Sequence, residues 1–577
     1  MNNEINIEAP VQAETSPAGK AKKIKPDLKH GGTVLLAALA IGTLLQFFIY
    51  ENKYGAQWAI AANLLVLGAV LLARQSGYKL PWQSWILAAA ASGLSLLTVF
   101  RAEGYTSFTL AAVSFAALIV LASTFVTGQW ASFRLREHIT AFLHLLFSVL
   151  IGPFALLKRP AGQSAQPKTK RGIPPVVKSV LIGLLISLPL LFIFGTLLMS
   201  ADSVFGKQMS DLFRDVFSLQ SEDLIYRLIL TFVLTYLVFG ALAHALTAGF
   251  QRKEMEPDQP AIKPFLGLTE SAIVFGSLNL LFGAFLLVQF RYFFAGESNI
   301  GISGLSYAEY ARRGFFELVV VACLVLLLYF VLDAFTKRET SPQRRTFSVL
   351  GALLIAQVGV VLVSAYKRLE LYELAYGFTQ TRVAAHVVII FIGVLLLAFL
   401  LMELTRRFKH TALVLFLAAI LFAVTLTALN VDNFVTERNI ARGLASTPNP
   451  EAAYSSRSYG ASGVDASYLI FDVSADGVPA MVRALRSEAL DAEMRQKLEA
   501  VFTCRSVRYQ EQNSADRPWF SLNVSKVREG RLYQENADLI DLDLLVEEET
   551  PFSRFKSEGV MIDDNYYACR FPDDGWD

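Results

Sequence analysis

The chain has 577 residues, of which 54% are hydrophobic and 18% charged, with a net charge of +2. A soluble globular chain carries about a quarter charged residues; the deficit and its uneven placement exclude a single water-soluble core and indicate membrane spans plus a solvated part. From Val431 onward there are about 16 Lys+Arg against about 26 Asp+Glu, so the membrane part is basic and the tail acidic, which argues against nucleic acid as a partner.

Residues 1–31 are polar and carry Lys20, Lys22, Lys23, Lys25 and Lys29, which predicts a disordered, basic cytoplasmic tail. The apolar run that follows is too long for a signal-peptide core, so no cleavable signal is expected. A crossing helix needs about 20 mostly apolar residues. Four such runs, 32–50, 56–73, 84–100 and 107–127, hold almost no ionisable groups and are rich in Ala and Gly. Small residues let helices approach closely in lipid, so 32–127 is expected to be a four-helix packing scaffold.

The run 140–157 is ambiguous, because it holds His144 and the pair Gly152-Pro153. The next loop carries Lys158, Arg159, Lys168, Lys170 and Arg171, which places it inside by the positive-inside rule. Four preceding spans satisfy that orientation and five do not. The segment 128–174 is therefore expected to contain a re-entrant or interfacial stretch and a basic cytoplasmic loop. Seven more runs follow at 175–199, 224–249, 267–290, 314–335, 346–366, 383–404 and 411–430, making a membrane domain over 175–430. Loops with Arg252/Lys253, Lys337/Arg338/Arg344/Arg345 and Arg406/Arg407/Lys409 then lie inside. The acidic connection 201–222 and the domain 431–577 lie outside. The fold class expected is an all-α polytopic membrane protein with about 11 transmembrane helices, one re-entrant or interfacial segment and a mainly helical soluble C-terminal domain.

In that domain, 478–508 and 521–535 show helical spacing of apolar residues, while 539–546 alternates imperfectly and suits a strand. Cys504 and Cys569 are enough for one bridge, although two separate buried thiols are the simpler reading. Cys323 lies in an apolar run.

No GxxxxGK[ST] loop, HExxH or GxSxG elbow is present, and the six histidines show no metal-ligand spacing. The sequence thus implies no cofactor, no metal and no catalytic residue. Asn523-Val524-Ser525 matches a glycosylation sequon at chance frequency. Ion-coupled carriers keep ionisable groups near the midplane. Here Arg227, Glu317 and His386 fall at outer span ends and Glu270, Asp333 and Glu403 at inner ends, leaving Asn279 and Gln357 as polar midplane residues. Hydrogen bonding between helices is the simpler role for both.

One constellation stands out. In 305–318, Glu309, Arg313 and Glu317 recur every four residues, with Arg312 beside them. After the run 346–366 come Lys367, Arg368, Glu370, Tyr372, Glu373, Tyr376, Thr379 and Arg382, and Asn430, Asn433 and Asn439 follow the last run. All fall on the outer side of this topology. A polar pocket under a soluble lid suits a small polar ligand, although juxtamembrane ion-pair ladders and tyrosine belts also arise simply to fix depth. Glu309 or Glu370 as an acid or base is the third reading.

The stretches SYAEYARRGFFEL, KRLELYELAYGFTQTR and NIARG…DASYLIFDVSADGVPAMV resemble a family of bacterial multi-pass membrane proteins catalogued as a domain of unknown function. The resemblance covers roughly 175–535 and is most specific over Glu309 to Glu317. It implies a bacterial cytoplasmic membrane and names no reaction. Three functions remain in play. A ligand-responsive sensor or regulator of the envelope leads, with a small polar ligand or an envelope protein at the outer face and the lipid bilayer as partners. A transporter or flippase of a polar or amphipathic solute is the alternative. A membrane enzyme is the third.

Overall fold

The computed structural model describes residues 31–50, 55–133, 135–157, 198, 202, 205, 207–208, 222–251, 264–294, 315–405, 410–445, 464–513, 519–549, 556–563 and 565–570. The helices are α1 (Gly31–Tyr50), α2 (Gln57–Gln75), α3 (Trp82–Leu97), α4 (Gly104–Thr124), α5 (Leu135–Leu157), α6 (Glu222–Gln251), α7 (Leu268–Phe294), α8 (Phe315–Phe335), α9 (Ser341–Tyr376), α10 (Gln380–Thr405) and α11 (Thr411–Leu429). After them come α12 (Val431–Ala445), α13 (Val478–Leu485), α14 (Ala492–Asn513) and α15 (Val524–Glu535). The chain closes with strands β1 (Leu545–Glu549), β2 (Lys556–Ile562) and β3 (Asn565–Ala568).

Ten of these helices are long and apolar enough to cross a bilayer. They coincide with ten of the eleven predicted runs. The eleventh, 175–199, lies outside the described residues apart from position 198. The chain is an all-α multi-pass membrane protein.

Two packing groups make the bundle. One core joins α1, α2, α3, α4 and α6 through residues such as Val34, Ala38, Leu87, Leu121 and Leu242. The other joins α7, α8, α9 and α10. On α9 the buried residues Leu354, Val358, Val361, Leu362, Ala365 and Leu369 recur at three- and four-residue intervals, one stripe of a helix. Lipid is as apolar as these side chains, so close packing rather than hydrophobic transfer holds the helices together.

One expectation needs correction in this half. Gly152-Pro153 does not interrupt α5, which runs unbroken to Leu157. This helix packs lengthwise and antiparallel on α6, with the His144 and His244 rings 5.4 Å apart and the Tyr236 hydroxyl donating to the Leu150 carbonyl.

The C-terminal segment forms a second core from Leu469, Ile470, Met481, Leu498, Phe502 and their neighbours. The expected helix over 478–508 is two helices, α13 and α14, separated by a turn at Arg486 to Asp491. Most of 539–546 is short 3-10 turns, and the strand begins only at Leu545. The three strands form an antiparallel sheet in the order β1-β2-β3, with Leu545 opposite Val560 and Ile562 opposite Asn565. Cys504 of α14 and Cys569 after β3 are joined by a disulfide, which ties this sheet to the helical core.

Candidate functional site

The C-terminal unit sits on one end of the bundle. That end gathers the last turn of α1, the α3–α4 connection, the end of α9, the start of α10 and the end of α11. Phe520 packs on Phe47 and Phe48 of α1. Two buried carboxylates do the polar part of the joining.

Asp476 follows from a local turn in which Ser474 accepts from the Asp476 N–H. Its carboxylate is 3% exposed. Oδ2 accepts from the N–H groups of Ala102 at 2.6 Å and Glu103 at 3.1 Å. Oδ1 accepts from the Ser525 hydroxyl at 2.5 Å and lies 3.4 Å from Arg101 Nη1. Arg101 in turn donates through Nε and Nη2 to the carbonyl of Thr427 on α11. Glu103, also buried, caps α4 by accepting from the N–H groups of Tyr105 and Thr106. One carboxylate therefore connects α3, α4, α11 and α15.

Asp432 lies in the first turn of α12. Asn430 adopts a left-handed conformation with φ 51°, which an asparagine tolerates, and this bend starts α12 immediately after α11. Asp432 Oδ1 accepts from Gln380 Nε2 and Oδ2 from the Ser474 N–H, both at 2.7 Å. Gln380 also donates through its N–H to the Tyr468 hydroxyl and through Nε2 to the Asp472 carbonyl. Asp432 is 0% exposed. Burial pushes its carboxyl up to about 6, against the pull of the Ser474 and Gln380 hydrogen bonds. Gly477 passes so close that an added Cβ would strike Val473 and Thr436.

The third part comes from α9. At about 1.5 Å per residue its 36 residues span about 54 Å, well beyond a hydrocarbon core of about 30 Å. Its last turns therefore project past the apolar layer. There Glu373, 5% exposed, places Oε1 3.1 Å from His386 Nδ1 of α10, and the Tyr366 ring lies 4.5 Å from the His386 ring. Arg382 stacks over Tyr372 at 4.1 Å and donates to the Gly377 carbonyl. Asn439 clamps Phe378 at both backbone groups, accepting from its N–H and donating to its carbonyl, each at 2.8 Å. Gly377 makes the turn with φ 79°; an added Cβ would meet Arg442 Nη2 at 3.0 Å and Asn439 Oδ1 at 3.1 Å.

Of the residues singled out in the sequence, Tyr372, Glu373, Arg382 and Asn439 meet here. Arg368 is half-buried on the same helix end. Glu370 is half-exposed and pairs with Lys367 at 2.7 Å. Glu317 is exposed in the first turn of α8, at the same end of the bundle. Glu309, Arg312 and Arg313 lie outside the described residues, and Tyr376 closes α9. Arg101, Gln380, Asp432 and Asp476 were not anticipated, and Asn523, discounted as a sequon, caps α15 and donates to the Arg101 carbonyl at 2.8 Å. The only local signals were the Ser-Ala-Asp-Gly turn and an Asp in a helix first turn.

Residues 86–484 match the model of the family described as Domain of unknown function (DUF4153). The chain belongs to this family. The match both starts and ends earlier than the resemblance in the sequence, which covers roughly 175–535. It runs from α3 through α13, so both carboxylates and their partners on α3, α4, α10 and α11 fall inside the family's domain. No curated protein and no solved structure matches the chain.

Proposed function

We propose that this membrane protein is a ligand-responsive regulator of the bacterial envelope, whose C-terminal unit faces outward and shifts on the bundle when its small polar ligand or partner protein binds. The observation that supports this reading is the double attachment. Asp476 grips the α3–α4 connection and Asp432 grips the start of α10, so a tilt of the unit moves helix ends in both packing groups. Such coupling of two elements through shared contacts is what a two-state switch requires. The Glu373–His386 pair and the Arg382–Tyr372 stack lie beside this joint and supply polar groups for the ligand.

The same proposal places the N-terminus in the cytoplasm and the C-terminal unit outside a bacterial cytoplasmic membrane. Arg74, Lys79, Lys337, Arg338, Arg344 and Arg345 occupy short loops at the end of the bundle away from the unit, in keeping with the positive-inside rule. The Cys504–Cys569 bridge suits an oxidising compartment.

The test is a pair of strains, one with full-length Asp476→Asn and one truncated after residue 463. Both are expected to turn the same envelope-stress reporters on or off without any stimulus. Unchanged reporters in both strains, with the proteins present in the membrane, would overturn the reading.

Transport of a polar solute remains as a second reading because of one observation. Asn279 donates to the carbonyls of Phe275 and Leu350, and Gln357 donates to the Asn279 carbonyl. The buried oxygens Asn279 Oδ1 and Gln357 Oε1, however, have no hydrogen-bond partner among the described residues. Asn279→Cys in a Cys323→Ala background distinguishes the two. Reaction with an impermeant maleimide means a water-filled route, and no reaction means a dry helix contact.

A further inference from the structure

The unit carries a run of exposed apolar side chains where it meets the bundle. A 3-10 turn, Trp519–Ser521, leads into α15. Its middle ring, Phe520, is buried on the last turn of α1, 5.1 Å from Phe47 and 5.5 Å from Phe48. The turn also lies so close to the α1–α2 connection that a Cβ added at Gly55 would meet the Ser521 backbone at 2.3 Å. The flanking side chains are not covered. Trp519 is 72% exposed, and Leu522, Val524 and Val527 are exposed as well.

The depth of this turn follows from α1. Its 20 residues span about 30 Å, the thickness of a hydrocarbon core, so Phe47 and Phe48 lie at the edge of that layer. Phe47 and Ile49 are themselves exposed, as the lipid-facing residues of a crossing helix are. The Trp519 ring, 5.8 Å from that of Phe520, continues this surface at the level where tryptophans collect in membrane proteins. Trp82 and Trp85, also exposed, start α3 at the opposite end of the bundle and belong to the other interface.

α15 adds charge in the matching order. Asn523 and Ser525 fix its start by donating to the Arg101 and Phe100 carbonyls of the bundle. Tyr533, near its end, packs on Phe502 in the unit's own core. On the exposed face Val524 and Val527 come first, and Arg528 and Arg531 follow; residues three and four apart share a helix face. Apolar residues beside cations on one exposed helix are the pattern of a segment seated at a membrane surface. The tail as a whole is acidic, but at physiological salt a charge is felt over only about 8 Å, so the local face decides.

We infer that the turn at Trp519 and the exposed face of α15 rest in the bilayer surface, with Trp519, Leu522, Val524 and Val527 in the interface and Arg528 and Arg531 at the lipid phosphates. The C-terminal unit is thus held by lipid as well as by Asp432 and Asp476, on whichever side of the membrane it lies.

The experiment uses the full-length protein with Cys323→Ala and one added cysteine, labelled with a fluorophore without reductant and placed in nanodiscs of phosphatidylcholine and phosphatidylglycerol. The probe positions are Trp519→Cys, Val527→Cys and, as reference, Glu547→Cys in the exposed acidic run of β1. Lipid carrying a nitroxide near its headgroup is expected to quench the probes at 519 and 527 and to leave the one at 547 bright. Acrylamide is expected to do the reverse. Equal responses at all three positions overturn the contact. Probes at 519 and 527 that are shielded from acrylamide yet unquenched by the lipid nitroxide also overturn it, because a protein surface then covers the turn. Arg528→Glu with Arg531→Glu is expected to reduce lipid quenching at 527, and unchanged quenching there overturns the role given to the two arginines.

Discussion

Arg101 and Asp476 stand 375 positions apart in the chain and 3.4 Å apart in the fold. The contact fastens the C-terminal unit to the connection between two membrane helices. It is completed by two backbone N–H groups and a serine hydroxyl on the same carboxylate. Removing one member of such a buried set leaves several donors with nothing to bond, which is costlier than the loss of any single bond.

Asp476→Ala should therefore weaken attachment by about 3–5 kcal/mol, the range for breaking a buried pair from one side. Asp476→Asn retains one acceptor oxygen and should cost less. Limited proteolysis of the purified protein checks this through the rate at which the C-terminal unit is released. Equal release rates for Asp476→Ala and wild type would refute it.

Asp432 gives the joint a pH dependence of definite sign. Its carboxyl is at about 6 when docked and near 3.8 when released, so the docked state binds the proton more tightly. Its contribution is fully present below about 3.8 and is lost as pH rises through about 6. The unfolding midpoint of the wild type should fall relative to Asp432→Asn over that window and run parallel to it above about 7. The difference between the two titrations isolates Asp432 from other carboxylates, and a flat difference would remove it from the pH response.

How much of this was legible in the sequence follows from the range of the interactions. Apolar runs of about 20 residues are local, and ten of them reappear as helices. Glu373, Arg382 and Asn439 stood out because charge and amides at a membrane edge are conspicuous in a window of a few residues. Asp476 and Arg101 did not, because each looks like an ordinary solvated charge until the fold brings the α3–α4 connection to it. The α13–α14 break was hidden for a different reason. Apolar residues keep their helical phase across Arg486 to Asp491, although the chain turns there. The β1–β2 pairing is obscured by the Glu547, Glu548 and Glu549 run, which reads as a loop.

Gly377 should not tolerate a side chain. Its φ of 79° is left-handed, and its missing Cβ leaves room for Arg442 and Asn439. Gly377→Ala is expected to cost about 1–3 kcal/mol through backbone strain, plus displacement of the Asn439 clamp on Phe378. Thermal unfolding of the full chain measures the loss, and a substitution without effect would mean the turn relaxes freely.

The disulfide offers the most direct test of orientation. Cys504 and Cys569 close a 65-residue loop, and opening such a bridge typically costs about 2–4 kcal/mol. Reductant, or Cys504→Ala with Cys569→Ala, should lower the unfolding midpoint of the C-terminal unit while the membrane helices remain folded. In intact cells carrying Cys323→Ala, an impermeant maleimide should label the chain only after reductant has been added. Reductant-dependent labelling puts the unit on the outer face, with the basic loops inside, because a bond that persists there needs an oxidising compartment. Labelling that requires permeabilised cells and no reductant would move the unit to the cytoplasm. Because Phe520 of the unit packs on Phe47 and Phe48 at the end of α1, that result would also invert the whole bundle and put the start of α1 outside.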